Sequence, residues 1–318
     1  MFWESFRTTF LGVIQILLLA GLGYFLVKKE LLGEACLGTL SRLVVNVTLP
    51  LLIFCQLIKE FSYKLYPDWW LYPLLSIIIT IAGLAIGFVL AKFIPDSRQK
   101  TQFISLIAFQ NSGYLPLALI AALLPGEAAN AMLVYLFLFL LGFNLVIWSF
   151  GVQMLTSSRA QKFAMGSLFS PPVIATILGL VFVSFAIESW IPEFVFKPMK
   201  MVGDCTLPLA LMVVGGSLAQ IVFRYVEIRA IILLILAKLI VLPLLGLWVV
   251  MYFNLPQLLG LLVLMQLAMP PATSLSLITK HYKVSDILIS EGVFFGHLVS
   301  IITVPIFLSL YFTWFMVR

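Results

Sequence analysis

Charged residues are scarce in this chain. Asp, Glu, Lys and Arg make up 10% of its 318 residues, whereas hydrophobic residues make up 63%. In soluble domains about a quarter of the residues are charged and about half are apolar. No soluble core of this length could bury so much apolar side chain. This excludes a soluble enzyme or binding domain and predicts an all-α, polytopic membrane protein in contact with the lipid bilayer.

Basic runs and cysteine motifs are also missing. The net charge is +6, but the basic residues are scattered over short loops, which excludes nucleic acid as a partner. Cys36, Cys55 and Cys205 form no CxxC pair, and we expect them to be small buried hydrophobes. Without an HExxH sequence or a glycine-rich phosphate loop, we expect no metal and no cofactor. The first apolar run lacks the flanking features of a cleavable signal peptide and is expected to remain as the first span.

Long apolar runs fill most of the sequence. A helix needs about 20 apolar residues to cross the hydrocarbon region of a bilayer, and polar, proline and glycine residues separate ten such runs. The predicted spans are 8–27, 37–58, 70–92, 101–124, 130–154, 168–188, 199–222, 229–252, 257–280 and 287–313.

The positions of Lys and Arg predict the orientation, because cytoplasmic loops retain positive charge. The odd-numbered loops hold eleven of these residues, and the termini and even-numbered loops hold six. We therefore expect the odd-numbered loops in the cytoplasm and both termini outside it, with the protein in the inner or plasma membrane.

The two halves of the chain share an unusual motif. NVTLPL at 46–51 falls in the second span and DCTLPL at 204–209 in the seventh, and the least apolar loop, TSSRAQKFAMGS, separates the halves. Because each half has five spans, the second half would start on the opposite side of the membrane from the first. This predicts two inverted five-helix repeats, 1–157 and 158–318, related by a pseudo-two-fold axis in the membrane plane.

Helix-breaking residues interrupt the fourth and ninth spans near their middles. They lie in QNSGYLP at 110–116 and in QLAMPPATS at 266–274. Irregular backbone survives at this depth only where it is buried in protein or lines a cavity. Two corresponding spans broken at matching depth are typical of the binding site of a transporter.

Several stretches resemble the auxin efflux carrier family and its bacterial members. They are QNSGYLPLAL at 110–119, LMVVGGSLA at 211–219, MPPATSLSLITKHYKVSD at 269–286, and Val304 with Pro305 before the last apolar run. The resemblance implies ten helices in a fold similar to bile-acid sodium symporters and sodium/proton antiporters, with helices 4 and 9 unwound and crossed near the membrane centre. It also implies a scaffold of helices 1, 2, 6 and 7, a transport domain of helices 3–5 and 8–10, and a homodimer through the scaffold. The long hydrophilic loop of the plant carriers is missing, so plant-type regulation is not implied.

The two interruptions are the predicted binding site. A broken helix exposes the first N–H groups of its second half at the positive end of the helix dipole. Two such ends meeting at mid-membrane would bind an anion such as a small carboxylate. The alternative is that the polar side chains only satisfy the interrupted backbone. The candidate substrate-binding residues are Gln110, Asn111, Ser112, Gly113, Tyr114, Pro116, Met269, Pro270, Pro271, Thr273 and Ser274.

Further polar residues inside the spans are candidates for ion coupling or for stabilising the crossing. They are Asn46, Asp204, Lys238, Gln266 and His297. Asp204 could be a proton or cation coupling site, a cap on the scaffold, or the helical partner of Lys200 four residues before it. Lys238 lies too far from either membrane surface to snorkel without tilt, so a role at the crossing is expected. His297 is either a packing residue or a proton carrier, and Glu291, near the cytoplasmic end, is expected to be solvated.

These features predict a secondary transporter that moves a small organic anion by elevator-like alternating access. The coupling ion, proton or sodium, stays open, as does transport without one. A passive anion or solute channel is the first alternative. An intramembrane enzyme is the second, and it fits less well. Gly203 and Asp204 resemble part of the GxGD motif of intramembrane aspartyl proteases, but Met201 stands at its first glycine. Ser112 and His297 resemble a rhomboid dyad, but Gln110 stands where that motif has a glycine.

Overall fold

A computed structural model describes residues 2–156, 168–221, 227–282, 284 and 287–317. All regular secondary structure in these ranges is helical, which agrees with an all-α polytopic membrane protein. The predicted boundary between residues 157 and 158 lies outside the described residues, as do Arg159, Lys162, Arg224 and Lys283, which contribute to the predicted orientation.

Seven helices are long and apolar enough to cross a membrane. Each coincides with one of the predicted spans, and the fourth, sixth and ninth predicted spans contain shorter apolar helices instead. The long helices are α1 (Phe2–Lys28), α2 (Glu34–Glu60), α3 (Leu71–Phe93), α6 (Gly126–Thr156), the pair α8 (Glu193–Asp204) and α9 (Thr206–Ala219), α10 (Ile228–Tyr252) and α13 (Ile287–Val317). The shorter helices are α4 (Ser97–Ala108), α5 (Tyr114–Leu123), α7 (Pro171–Ser184), α11 (Gln257–Ala268) and α12 (Ser274–His281).

Proline accounts for an irregular turn in each copy of the repeated motif. A proline has no N–H, and its ring clashes with the carbonyl group four residues before it. In the motif NVTLPL, Pro50 follows a π-helical turn at Val44–Thr48. In DCTLPL, Pro208 lies four residues after Asp204, where α8 ends. The shared motif therefore produces a local break in both helices, although the form of the break differs.

Five of the helices pack against one another across the two halves of the chain, and two of the three contacts bring backbone against backbone. Helix α1 packs against α9, α2 packs against α7, and α8 crosses α2. A Cβ atom on Gly215 would lie 1.7 Å from the carbonyl oxygen of Ala20, and one on Gly203 would lie 2.9 Å from the amide nitrogen of Leu52. Only glycine permits such close approach, which is the usual way that helices associate within a bilayer.

The remaining helices form two groups that meet at the interrupted spans. Helix α3 packs against α4 and α6, and α13 packs against α10 and α11.

The cysteines are a correction to the sequence prediction: Cys55 is buried, but Cys36 and Cys205 are exposed. Cys36 lies on α2 and Cys205 at the junction of α8 and α9, and both face away from the packed interior.

Candidate functional site

Two non-helical segments lie side by side in the interior. The first interruption, residues 109–113, separates α4 from α5, and the second interruption, residues 269–273, separates α11 from α12. The Asn111 N–H donates to the Pro270 carbonyl (2.8 Å), and the Ala272 N–H donates to the Phe109 carbonyl (2.9 Å). Each segment therefore satisfies backbone groups of the other, as buried irregular backbone requires.

The prolines occupy positions where no backbone donor is needed. Gln110 and Pro271 are paired as an antiparallel bridge, but the hydrogen bonds come from their neighbours, so the missing N–H of Pro271 loses nothing. Pro116 lies in the first turn of α5, where an N–H group has no partner within the helix. The φ angle of Gly113 is −102°, which any residue can adopt.

A cavity of about 140 Å³ borders both interruptions, and residues of α2, α5, α6, α7 and α12 complete its wall. Seven of the predicted binding residues line it: Gln110, Asn111, Ser112, Gly113, Tyr114, Thr273 and Ser274. The other four do not, because Pro116, Met269, Pro270 and Pro271 are turned into the packing of the surrounding helices. Helices α5 and α12 both begin at the cavity wall, so the N-termini of both helices face the same space.

Other parts of the chain contribute lining residues that the sequence prediction did not include. Asn144 and Trp148 reach the cavity from α6, and Ser170 reaches it from the residue before α7. Asn144 could have been noticed, since it is a polar residue inside a long apolar helix. Trp148 and Ser170 carry no such signal.

Two buried amide side chains next to the cavity have unused hydrogen-bonding capacity. Gln110 is fully buried, and neither its nitrogen nor its oxygen has a partner within the described residues. Gln266 donates to the Ser112 carbonyl (3.2 Å), while its oxygen is unpartnered in the same sense. Buried polar atoms are normally satisfied by protein, water or a ligand, so these groups are available to a bound solute or water.

Asn111 is held by a histidine from a distant helix. Its Nδ2 atom lies 3.2 Å from Nε2 of His297 on α13, and Nδ1 of His297 lies 2.8 Å from the Val293 carbonyl oxygen. Both side chains are buried. His297 therefore contacts a cavity-lining residue without lining that cavity itself.

Lys238 stabilises the end of the helix that leads into the first interruption. It is buried, and its Nζ donates to the Ile107 carbonyl (2.7 Å) in the last turn of α4. The last carbonyls of a helix have no partner within it, and a cation there also opposes the negative end of the helix dipole. The ammonium group does not line the cavity.

Asn46 and Asp204 lie away from the cavity. Asn46 is exposed on α2, and Asp204 forms an exposed ion pair with Lys200, at 2.6 Å. The expectation that Glu291 is solvated was wrong, since it is 2% exposed. The adjacent Gly292 packs against Leu106 of α4, so this end of α13 is covered by protein.

The chain is similar to a family of membrane transport proteins and to individual proteins of plants, archaea and yeast. The model of a family described as membrane transport protein matches residues 8–165 and 160–308. The protein PIN-LIKES 7 of Arabidopsis thaliana is 23% identical, over 90% of this chain and 92% of that protein. An uncharacterized transporter of Methanothermobacter thermautotrophicus is 26% identical, over 65% of this chain and 67% of its own. An uncharacterized transporter of Schizosaccharomyces pombe is 30% identical over half of this chain, and the match spans 39% of the yeast protein.

Proposed function

The chain belongs to the membrane transport protein family, the family of the auxin efflux carriers, and we propose that it is a secondary carrier for a small organic anion. The observation that carries this proposal is the cavity of about 140 Å³ that borders both interruptions, with a helix N-terminus on each side. A protein cavity of about 150 Å³ can hold a benzene molecule, so a short-chain monocarboxylate is of suitable size and a single-ring aromatic one is at the upper limit.

The charge of the solute follows from what faces the cavity. Its described lining contains no Asp, Glu, Lys or Arg side chain. The first N–H groups of α5 and α12 are therefore the source of positive potential at the cavity wall itself, and each helix N-terminus has the effect of about half a positive charge. Such ends favour an anion over a cation.

We propose that the architecture is the ten-helix inverted repeat with crossed, broken helices 4 and 9, divided into 1–157 and 158–318. The packing of α1 against α9 and of α2 against α7 supports it, since each pair joins the first span of one half to the second span of the other. These four spans would be the scaffold, and spans 3–5 and 8–10 would move across it as an elevator. In this proposal both termini lie outside the cytoplasm, the membrane is the inner or plasma membrane, and the scaffold forms a homodimer.

The transport mode can be tested with purified protein in liposomes. Benzoate is a suitable labelled probe. A carrier gives saturable uptake that benzoate on the opposite side stimulates, and no cofactor is needed for it. Linear, non-saturating current would instead indicate a channel, and a chemically changed product would indicate an enzyme. A thermal-shift screen of acetate, malonate and benzoate, with and without sodium, would identify the preferred class and a coupling ion.

The position of the site can be tested by filling the cavity. A Cβ atom on Gly113 would have no neighbour closer than 3.9 Å, so Gly113→Leu would extend into the space without displacing the backbone. We expect it to abolish benzoate uptake while the protein still folds. Gly33→Leu is the matched control, because no atom lies within 4 Å of a Cβ atom there and the residue is remote from the cavity. Equal benzoate uptake by the two variants would overturn the proposed site.

A further inference from the structure

The hydrogen bonds of His297 determine which of its ring nitrogens carries a proton. Its Nδ1 faces the Val293 carbonyl oxygen, which can only accept, so Nδ1 must be the donor. In the neutral ring Nε2 then has no proton and accepts from Nδ2 of Asn111. Both assignments follow from the partners alone.

The same hydrogen bonds also determine the orientation of the Asn111 side-chain amide. The nitrogen end of the Asn111 amide is turned to His297, where one of its two N–H groups is engaged, so the opposite, oxygen end is the one left for the cavity that Asn111 lines. An oxygen accepts hydrogen bonds and repels a carboxylate. With a neutral histidine, one of the most buried polar side chains of the cavity wall therefore has the wrong polarity for an anion.

Protonation of the ring would reverse that polarity. Both nitrogens of an imidazolium donate, so Nε2–H would require the Asn111 oxygen as its acceptor and the amide would turn over. Its NH₂ group would then face the cavity and could donate to a carboxylate. We propose that His297 controls the hydrogen-bonding polarity of the site through Asn111, so that a carboxylate binds together with one proton. This inference rests on the proposed function, since it assumes that the cavity takes an anion.

The surroundings of the ring favour this pairing. His297 also borders an apolar cavity of about 130 Å³ that α1, α5, α9 and α13 enclose, and its described lining contains no other titratable side chain. A buried imidazolium without a counter-charge is costly, and so is a carboxylate that meets an acceptor. A proton on His297 would therefore favour binding of the carboxylate, and the carboxylate would favour binding of the proton.

Other titratable groups on the packed elements do not contact the ring, whose partners in the described structure are Asn111 and Val293. Lys238 on α10 is bonded to Ile107, and Lys280 and His281 are exposed at the end of α12. Tyr114 of α5 lines the other cavity, and Glu291 lies earlier on α13, with the backbone of Glu227 facing it. On α1, α4, α10 and α13, the remaining titratable groups whose side chains the structure describes are Glu4, Arg7, Tyr24, Lys28, Lys100, Arg229, Tyr252 and Tyr311.

Proton uptake on binding tests the inference directly. In weakly buffered solution with a pH indicator, binding of benzoate to the wild-type protein should be accompanied by the uptake of about one proton. The Kd for benzoate should rise about tenfold for each pH unit above the pH at which the ring titrates in the free protein. Benzenesulfonate, whose own charge is constant in this range, should behave in the same way. His297→Gln cannot titrate and should show neither effect. His281→Gln is the matched control, because it removes the only other histidine of the sequence, and it should retain both.

A second measurement does not depend on the His297 variant folding. In the His281→Gln protein, ¹⁵N-labelled histidine reports on His297 alone. We expect a neutral ring protonated at Nδ1 without ligand and a doubly protonated ring with saturating benzoate.

An Nε2–H tautomer in the free protein, or benzoate binding without proton uptake, would overturn the inference and leave the anion carrier intact. If none of acetate, malonate, benzoate and benzenesulfonate binds at any pH, the proposed function itself fails, and this inference fails with it.

Discussion

The first and second interruptions pair with each other, yet they contribute different groups to the cavity. The first supplies four consecutive lining residues, 110–113, which include two amides and a hydroxyl group, and Tyr114 follows them at the start of α5. The second supplies Ala272 and Thr273, and its prolines are turned away. One segment therefore carries most of the hydrogen-bonding side chains, whereas the other mainly gives the wall its shape.

The two interruptions are also held in place differently. Side chains from other helices hydrogen-bond to the first: His297 to Asn111, and Gln266 to the Ser112 carbonyl. The second is held by close packing, since a Cβ atom on Gly296 would lie 2.5 Å from the Cδ of Pro271. Under the proposed function, the two interruptions would therefore have separate tasks, with polar recognition in the first and rigid support in the second.

Among the substitutions that test this comparison, Asn111→Ala has the largest predicted effect. Loss of a hydrogen bond to a charged solute costs about 1.5–3 kcal/mol, which corresponds to a fall in benzoate affinity of about ten- to a hundredfold. Thr273→Ala removes a hydroxyl group from the second interruption, and we expect a severalfold change at most. Equilibrium binding and initial uptake rates, normalised to protein in the liposomes, would measure both. Equal losses in the two variants would contradict the division of tasks.

Gly296→Ala tests the rigid support of the second interruption. The added methyl group would overlap the ring of Pro271, which cannot rotate away, and overpacking of this kind costs about 1–3 kcal/mol. We expect a lower midpoint of thermal unfolding in detergent. Gly113→Ala is the control: the nearest atom would lie 3.9 Å from the methyl group, so stability should be retained while benzoate affinity falls. A lower unfolding midpoint for Gly113→Ala than for Gly296→Ala would contradict the idea that the second interruption is the one held by close packing.

The sequence predicts which segments form the site better than it predicts which distant residues contact those segments. Proline and glycine in apolar runs are local signals, and the helices end at Ala108 and Ala268, next to them. The contact between Asn111 and His297 joins residues 186 positions apart and depends on how α13 packs, which no local pattern contains. Glu291 shows the same limit, because its distance from the end of a span suggests solvent while neighbouring helices cover it.

Lys238→Met should have a moderate effect on the first interruption. The variant leaves the Ile107 carbonyl without its donor, which costs about 1–3 kcal/mol, but it also removes a buried charge. We expect a net loss of stability of about 1 kcal/mol and a lower rate of benzoate uptake. The pH dependence of benzoate binding should be unchanged, because we assign that to His297. A loss of the pH dependence in Lys238→Met, with unfolding unchanged, would instead make the lysine the proton-linked group.

The smallest predicted effect is that of Asp204→Asn, which extends the comparison to the repeated motif. Asp204 pairs with Lys200 on an exposed surface, and exposed pairs contribute about 0–1 kcal/mol. Its counterpart Asn46 follows Arg42 by the same four residues, so Asn46→Asp would place an acidic residue one turn after Arg42 and give α2 an equivalent ion pair. We expect both variants to keep wild-type uptake and an unfolding midpoint close to that of the wild type. If Asp204→Asn alone stopped uptake, the acidic residue would belong to the transport cycle, and the two copies of the motif would differ in function as well as in charge.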